Sequence, residues 1–219
     1  MTISDVTMHD IYLARQKIAP VIRRTSLIHS SPLTGRVGSS VYLKLENLQA
    51  TGSFKIRGAA NKLLNLTEEE KTRGVVTGSS GNHGRAVAFV ARRLDVSAVI
   101  CISAQAPSNK VDAIRQLGAE VVVHGESYDE SVSYALRLAE ERGLTMIDSF
   151  DDPHVIAGQG TIGLELLEDL PKIDTAIVPL AGGGLLGGIA LALKSANPEI
   201  RVIGVSMERA PVMYYSLQA

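Results

Sequence analysis

The sequence predicts an α/β protein built on a doubly wound, largely parallel sheet, or on two of them. Three observations carry this. Short β-branched runs alternate with helical patterns along most of the chain. Two of the strand-to-helix joints are rich in glycine, TGSSGNHGRA at 77–86 and VPLAGGGLLGG at 178–188. No repeat of fixed period and no low-complexity tract interrupts the alternation. In such sheets ligands bind beyond the carboxyl ends of the strands, where both glycine-rich joints lie.

The elements follow in order. Residues 41–45 read as a strand and 53–66 as a helix with Ser53 as its N-cap. Strand 75–77 passes through the first glycine joint into helix 82–94. Strand 98–102 precedes a helix opened by Pro107 and Ser108 and stopped at Gly118. Strand 121–123 precedes the amphipathic helix 127–142, with Val132, Ala135, Leu136 and Ala139 at helical spacing. Strand 145–147, helix 155–170, strand 175–180, helix 184–195 and strand 201–205 complete the series. The chain closes on APVMYYSLQA, the start of a further helix, so the last strand is expected to need a cover that follows it. The expectation is the front portion of a longer protein.

Totals exclude several classes. With 22 basic and 23 acidic residues the net charge is −1, which gives no electrostatic footprint for nucleic acid or an anionic membrane. Apolar residues at 45% and charged residues at 21% are ordinary for a globular chain of 219 residues. The single cysteine, Cys101, lies in a strand pattern and has no partner, as expected in a reducing compartment. The first ten residues lack a basic and then apolar signal pattern, and the apolar stretch 180–193 is too short and too rich in glycine to span a bilayer. A cytoplasmic setting is expected. The five histidines are scattered, with no HExxH and no paired cysteines, so no metal site is expected.

Three stretches carry chemistry. In GSFKIRG, 52–58, Lys55 sits at the start of a helix beside Ser53, Phe54 and Arg57. It is either a solvated charge or a desolvated amine able to add to a carbonyl. The joint 178–188 puts three glycines, Gly182, Gly183 and Gly184, before a helix, a natural phosphate cradle. Gly182, Gly184 and Gly187 also fit G-x-G-x-x-G with Glu208 after the next strand, so a nicotinamide dinucleotide and a nicotinamide-dependent oxidoreductase fit as well. A plain strand–helix turn remains open for both joints. In the first joint Ser79, Ser80, Gly81, Asn82 and His83 offer small polar groups able to wrap a carboxylate, or simply to cap a helix.

Taken together and in this order, SFKIRGA, SSGNHG and the glycine joint resemble the pyridoxal-phosphate enzymes of the tryptophan-synthase-β fold, nearest the threonine/serine dehydratases and serine racemases. VIAGQGTIGLELLEDLP, 155–171, is similar to the same family. The resemblance covers nearly the whole chain. It implies two doubly wound parallel-sheet domains. The larger, cofactor-binding one comprises 1–72 and 151–219 and is incomplete; the smaller, mobile one, 73–150, is inserted in it.

It implies pyridoxal 5′-phosphate as cofactor, joined to Lys55 as a Schiff base and packed beside Phe54. Asn82 would bond its 3′-oxygen, and Gly182, Gly183, Gly184 and Leu185 would hold its phosphate. The substrate carboxylate would lie on Ser79, Ser80, Gly81 and His83. The implied reaction is β-elimination of water from a hydroxy-amino acid, giving a 2-oxo acid and ammonia, with Lys55 as general base. Ser80 matches the opposite-face acid/base of the racemases, so serine racemase is an alternative. SSGNHGRAVAF with GVSMERA also resembles the hydroxyectoine-utilisation dehydratases, whose substrates would be hydroxy-diaminobutyrate derivatives. The acidic metal ligands of cation-dependent racemases align with Ser206 and Val212. The expected partners are a small amino-acid substrate and a second copy of the chain in a homodimer, with no nucleic acid and no membrane.

Overall fold

A computed structural model describes residues 6–79, 81–209 and 211–218. At its centre lies a four-stranded, wholly parallel sheet of order β5-β4-β3-β6, made of β3 (Val75–Gly78), β4 (Ala98–Ile102), β5 (Glu120–Val123) and β6 (Thr145–Met146). The other strands form pairs: β1 (Leu27–His29) with β2 (Tyr42–Lys44), antiparallel, and β7 (Thr175–Pro179) with β8 (Arg201–Val205), parallel. The helices are α1 (Met8–Ile18), α2 (Ser31–Val37), α3 (Lys55–Leu64), α4 (Glu68–Arg73), α5 (Asn82–Arg93), α6 (Ser108–Arg115), α7 (Tyr128–Arg142), α8 (Pro153–Asp169), α9 (Gly184–Ala196) and α10 (Val212–Ser216). The α/β class and the parallel sheet agree with the sequence reading. Strand 41–45 of that reading is β2; β1, and with it the antiparallel pairing, α1, α2 and α4 were not read from the sequence.

Period-two alternation sorts the central sheet's side chains to two faces. Val75, Ile100 and Ile102 face a cluster that includes Ile56 and Leu63 of α3 and Val87 and Val90 of α5. Val76, Val99 and Cys101 face Ala135 and Leu138 of α7. Cys101 is fully buried, and burial pushes its thiol up to about 11, which suits a packing role. The inner residues of β7, Ala176 and Val178, pack on α9, while Ile177, Ile203 and Val205 on the opposite face are exposed.

The VIAGQGTIG stretch forms the middle of α8, which is packed against α3, α1 and α9. Its glycines are contact points. A Cβ on Gly158 would meet the Arg57 carbonyl at 2.6 Å and the Gly58 Cα at 2.8 Å. On the opposite face, a Cβ on Gly188 of α9 would meet the Gly160 nitrogen at 2.7 Å. The helix backbones cross too closely for any side chain, which fixes where α3 and α9 begin. Those two beginnings carry Lys55 and the glycine joint.

Ser53 is not the N-cap of α3. Phe54 occupies that position without a side-chain cap, and the Ser53 hydroxyl is buried without a partner. α5 likewise starts at an uncapped Gly81. Both helix starts therefore leave N–H groups uncommitted. No described helix is long and apolar enough to cross a membrane, and no described cluster of His, Cys, Asp or Glu could hold a metal ion.

Candidate active site

Lys55 is the first residue of α3 and is largely buried. Its amine donates to the Ser149 carbonyl at 2.6 Å and lies 5.4 Å from the centre of the Phe54 ring. Burial lowers its pKa to about 8 against the opposing pull of the Asp148 carboxylate. With so few partners the desolvated amine is free base to about a tenth at pH 7, far more than an ordinary lysine, and the free base is the form that adds to a carbonyl.

His83, on α5, is 3% exposed. Its Nε2 lies 3.2 Å from the Ile147 carbonyl. A carbonyl only accepts, so Nε2 carries the proton and Nδ1 is left as an acceptor, buried without a partner. Burial, then the Lys55 charge, lowers the imidazole to about 4, against the Ile147 carbonyl and Asp148. His83 is therefore neutral at pH 7, with no N–H left for a carboxylate. In the same loop, Ser79 is buried and its hydroxyl accepts from the Gly81 N–H at 3.3 Å, while Asn82 is exposed. A Cβ on Gly84 would overlap the Ser79 carbonyl, so this loop folds back on its helix only because residue 84 is glycine. Ser80 lies outside the described residues.

Gly182, Gly183 and Gly184 lead into α9, whose N-cap, Gly183, is left-handed at φ +93° and offers no side-chain cap. The N–H groups of this first turn have no intrahelical acceptor, the arrangement that binds anions. A Cβ on Gly182 would overlap the Phe150 ring, and one on Gly184 would meet the Phe150 carbonyl at 2.5 Å. Leu185 packs in the same cluster as Phe54, so the glycine turn and the start of α3 share one apolar floor. Gly187, the third glycine of a dinucleotide pattern, has open space where its Cβ would stand, and Glu208 is exposed. The close packing that this third glycine serves in dinucleotide folds falls to Gly188 instead.

The sequence reading missed the segment that joins these parts. Residues 147–150 touch all of them: the Ile147 carbonyl accepts from Thr77 at 2.8 Å and from His83, the Ser149 carbonyl accepts from Lys55, and Phe150 seats on the glycine turn. It also missed a buried ion network two residues from Lys55. Arg57 is 0% exposed and makes five hydrogen bonds, to Glu46, Glu165 and Thr161. Burial works against the charged guanidinium, yet its bonds to Glu46 and Glu165 hold its pKa above the ordinary value.

A desolvated amine and an uncapped glycine helix start, packed around one apolar cluster, are the features that a ligand both carbonyl compound and phosphate would need. The unpartnered buried hydroxyls of Thr51 and Ser53, and a glycine turn with uncommitted N–H groups, fit a cofactor of that kind. Residues 18–219 match the family described as pyridoxal-phosphate dependent enzyme, and the chain belongs to that family.

The L-threonine ammonia-lyase of Thermotoga maritima is 49% identical over 213 residues, 97% of this chain and 53% of that protein. The structure of a serine racemase from Dictyostelium discoideum superposes with a TM-score of 0.91 at 40% identity, covering 97% of this chain and 69% of that one. That of processed threonine deaminase isoform 2 from Solanum lycopersicum gives 0.90 at 39%, covering 96% and 60%. The chain thus spans about half the length of the Thermotoga relative.

Proposed function

We propose that this chain carries the catalytic lysine and cofactor cradle of a dehydratase that eliminates water from a hydroxy-amino acid such as threonine or serine, giving a 2-oxo acid and ammonia. The observation that carries the reading is the Lys55 amine, held near pKa 8 beside Phe54 and tied through Ser149 and Phe150 to the glycine turn. Relatives named threonine ammonia-lyase and threonine deaminase support the substrate class.

Pyridoxal phosphate, when bound, supplies an electron sink for the negative charge that develops at the substrate's α-carbon. Lys55 would hold the cofactor carbonyl and, once released, take the α-proton; an amine with pKa near 8 suits both tasks at neutral pH. Gly182, Gly183, Gly184 and Leu185 would bind the phosphate with backbone N–H groups at the positive end of α9. Asn82 would reach the ring oxygen and Phe54 would pack beside the ring. Ser79, Ser80 and Gly81 would receive the substrate carboxylate, with His83 bracing their loop against Ile147.

Residues 73–150 would close as a smaller domain over the larger one, excluding water. A homodimer in the cytoplasm belongs to the same reading, and sedimentation of the purified protein tests the dimer.

Borohydride reduction with pyridoxal phosphate, followed by peptide mapping, should place the adduct on Lys55, and threonine or serine should yield 2-oxo acid. A folded, colourless protein whose adduct lies elsewhere would overturn the assignment. Serine racemization is the second reading, favoured by the Dictyostelium match; D-serine in excess of pyruvate would establish it.

A further inference from the structure

The turn between β6 and α8 is organised by one side chain. Oδ1 of Asp148 accepts the backbone N–H groups of Phe150 and Asp151, both at 2.8 Å. That double acceptance fixes the intervening peptides. It aims the Ser149 carbonyl at the Lys55 amine and sets Phe150 on the glycine turn. Immediately before it, the Ile147 carbonyl is held by Thr77 and His83, and the Ile147 N–H bonds the Val76 carbonyl at 2.9 Å.

We propose that Asp148 is a positioning residue for Lys55: its carboxylate locks the turn on which the amine and the Phe150 ring rest, and supplies the negative charge that acts on that amine. The groups around Lys55 leave this role to Asp148. From α5 the facing titratable group is His83, neutral at pH 7 and itself subject to the Lys55 charge. On α8 the carboxylate of Glu165 is committed to Arg57 and Lys44, and Asp152, the N-cap of that helix, pairs with Lys62. Asp148 is the charge that opposes the desolvation of Lys55.

This deepens the reading of Lys55 given above but is testable without cofactor. The full chain is labelled with acetic anhydride over a range of pH, and acetylation of Lys55 is followed by mass spectrometry. The wild-type midpoint is expected at about 8. Asp148→Asn keeps an oxygen for both N–H groups and removes the charge. Its midpoint should fall by about one pH unit, while proteolysis within 147–152 stays at the wild-type rate. Asp148→Ala should be cut there several-fold faster. Asp148→Glu keeps the charge but displaces the acceptor, so it should be cut faster while its midpoint stays above that of Asp148→Asn.

An Asp148→Asn midpoint at or above the wild-type value overturns the electrostatic role. An Asp148→Ala chain as resistant as wild type overturns the clamp. Should either variant fail to fold, Asp148→Glu with wild-type resistance overturns the proposal alone. None of these results bears on whether borohydride finds cofactor on Lys55, so the two readings fail separately.

Discussion

Lys55 and Arg57 stand two residues apart at the start of α3, both cationic and both taken largely out of water, yet they end in opposite states. Burial penalises each charge. Arg57 meets two carboxylates and a threonine hydroxyl with five well-formed hydrogen bonds, and its pKa rises. Lys55 meets one carbonyl and the charge of a carboxylate already committed to backbone N–H groups, and its pKa falls to about 8. Desolvation is common to the two. The number of charge-matched partners decides whether a buried cation becomes a structural tie or a reactive amine.

The largest effect should come from breaking the satisfied member. Glu165→Ala removes two hydrogen bonds from Arg57 and the Lys44 pair at 2.7 Å, leaving cations in a buried site. The expected loss is about 3–5 kcal/mol of unfolding free energy, read as a lower urea midpoint with unchanged slope. A loss within that of an ordinary surface substitution would mean that the network does not hold α3 to α8.

His83 offers a second site of the Lys55 kind, with a single partner and a lowered pKa. Its folded value of about 4 lies below the unfolded value of 6.5. Between these the unfolded chain binds a proton that the folded chain refuses, so stability falls as pH drops from 6.5 to 4 and levels off below. At 1.36 kcal/mol per unit the contribution is about 3 kcal/mol. His83→Gln should lose that much less stability over the same window, as chemical denaturation at stepped pH would show. Parallel curves for the two proteins would place the imidazole in contact with water and remove it from the comparison.

The same contrast explains what could be read from the sequence. Lys55, the SSGNHG loop and the glycine turn stood out in the sequence because the roles proposed for them depend on residue type: an amine, small hydroxyls, and backbone that tolerates φ +93° at Gly183. β3, β4, α5 and α9 were legible from periodicity. The turn at 147–150 was not, because it works through the carbonyls of Ile147 and Ser149, which every residue possesses. Nor was the partner set of Arg57, since Glu165 meets it only once α3 and α8 have crossed at Gly58 and Gly158, and Glu46 reaches it from the turn after β2. α1 escaped because its inward residues, Ile11, Ala14 and Ile18, share the helix with exposed Tyr12 and Leu13, and its capping box uses Asp10 where the usual pattern has Glu or Gln.

The smallest effect tests the reactive member directly. Lys55→Met replaces a desolvated amine with an apolar chain of similar length, so it removes a cost where the Glu165 variant creates one. Because Lys55 retains some access to solvent, the gain at pH 7 is discounted to about 1 kcal/mol. Its sign should depend on pH in a set way. The folded pKa of about 8 lies below the unfolded 10.5, so between them the unfolded wild type holds the extra proton and wild-type stability climbs with pH. The advantage of Lys55→Met should therefore be greatest below pH 8 and shrink towards pH 10.5, in thermal or urea unfolding of both proteins side by side. An advantage that is flat across that window would mean that the amine is as well solvated in the folded chain as in the unfolded one. Lys55 would then differ from Arg57 in exposure and not in the partners it lacks.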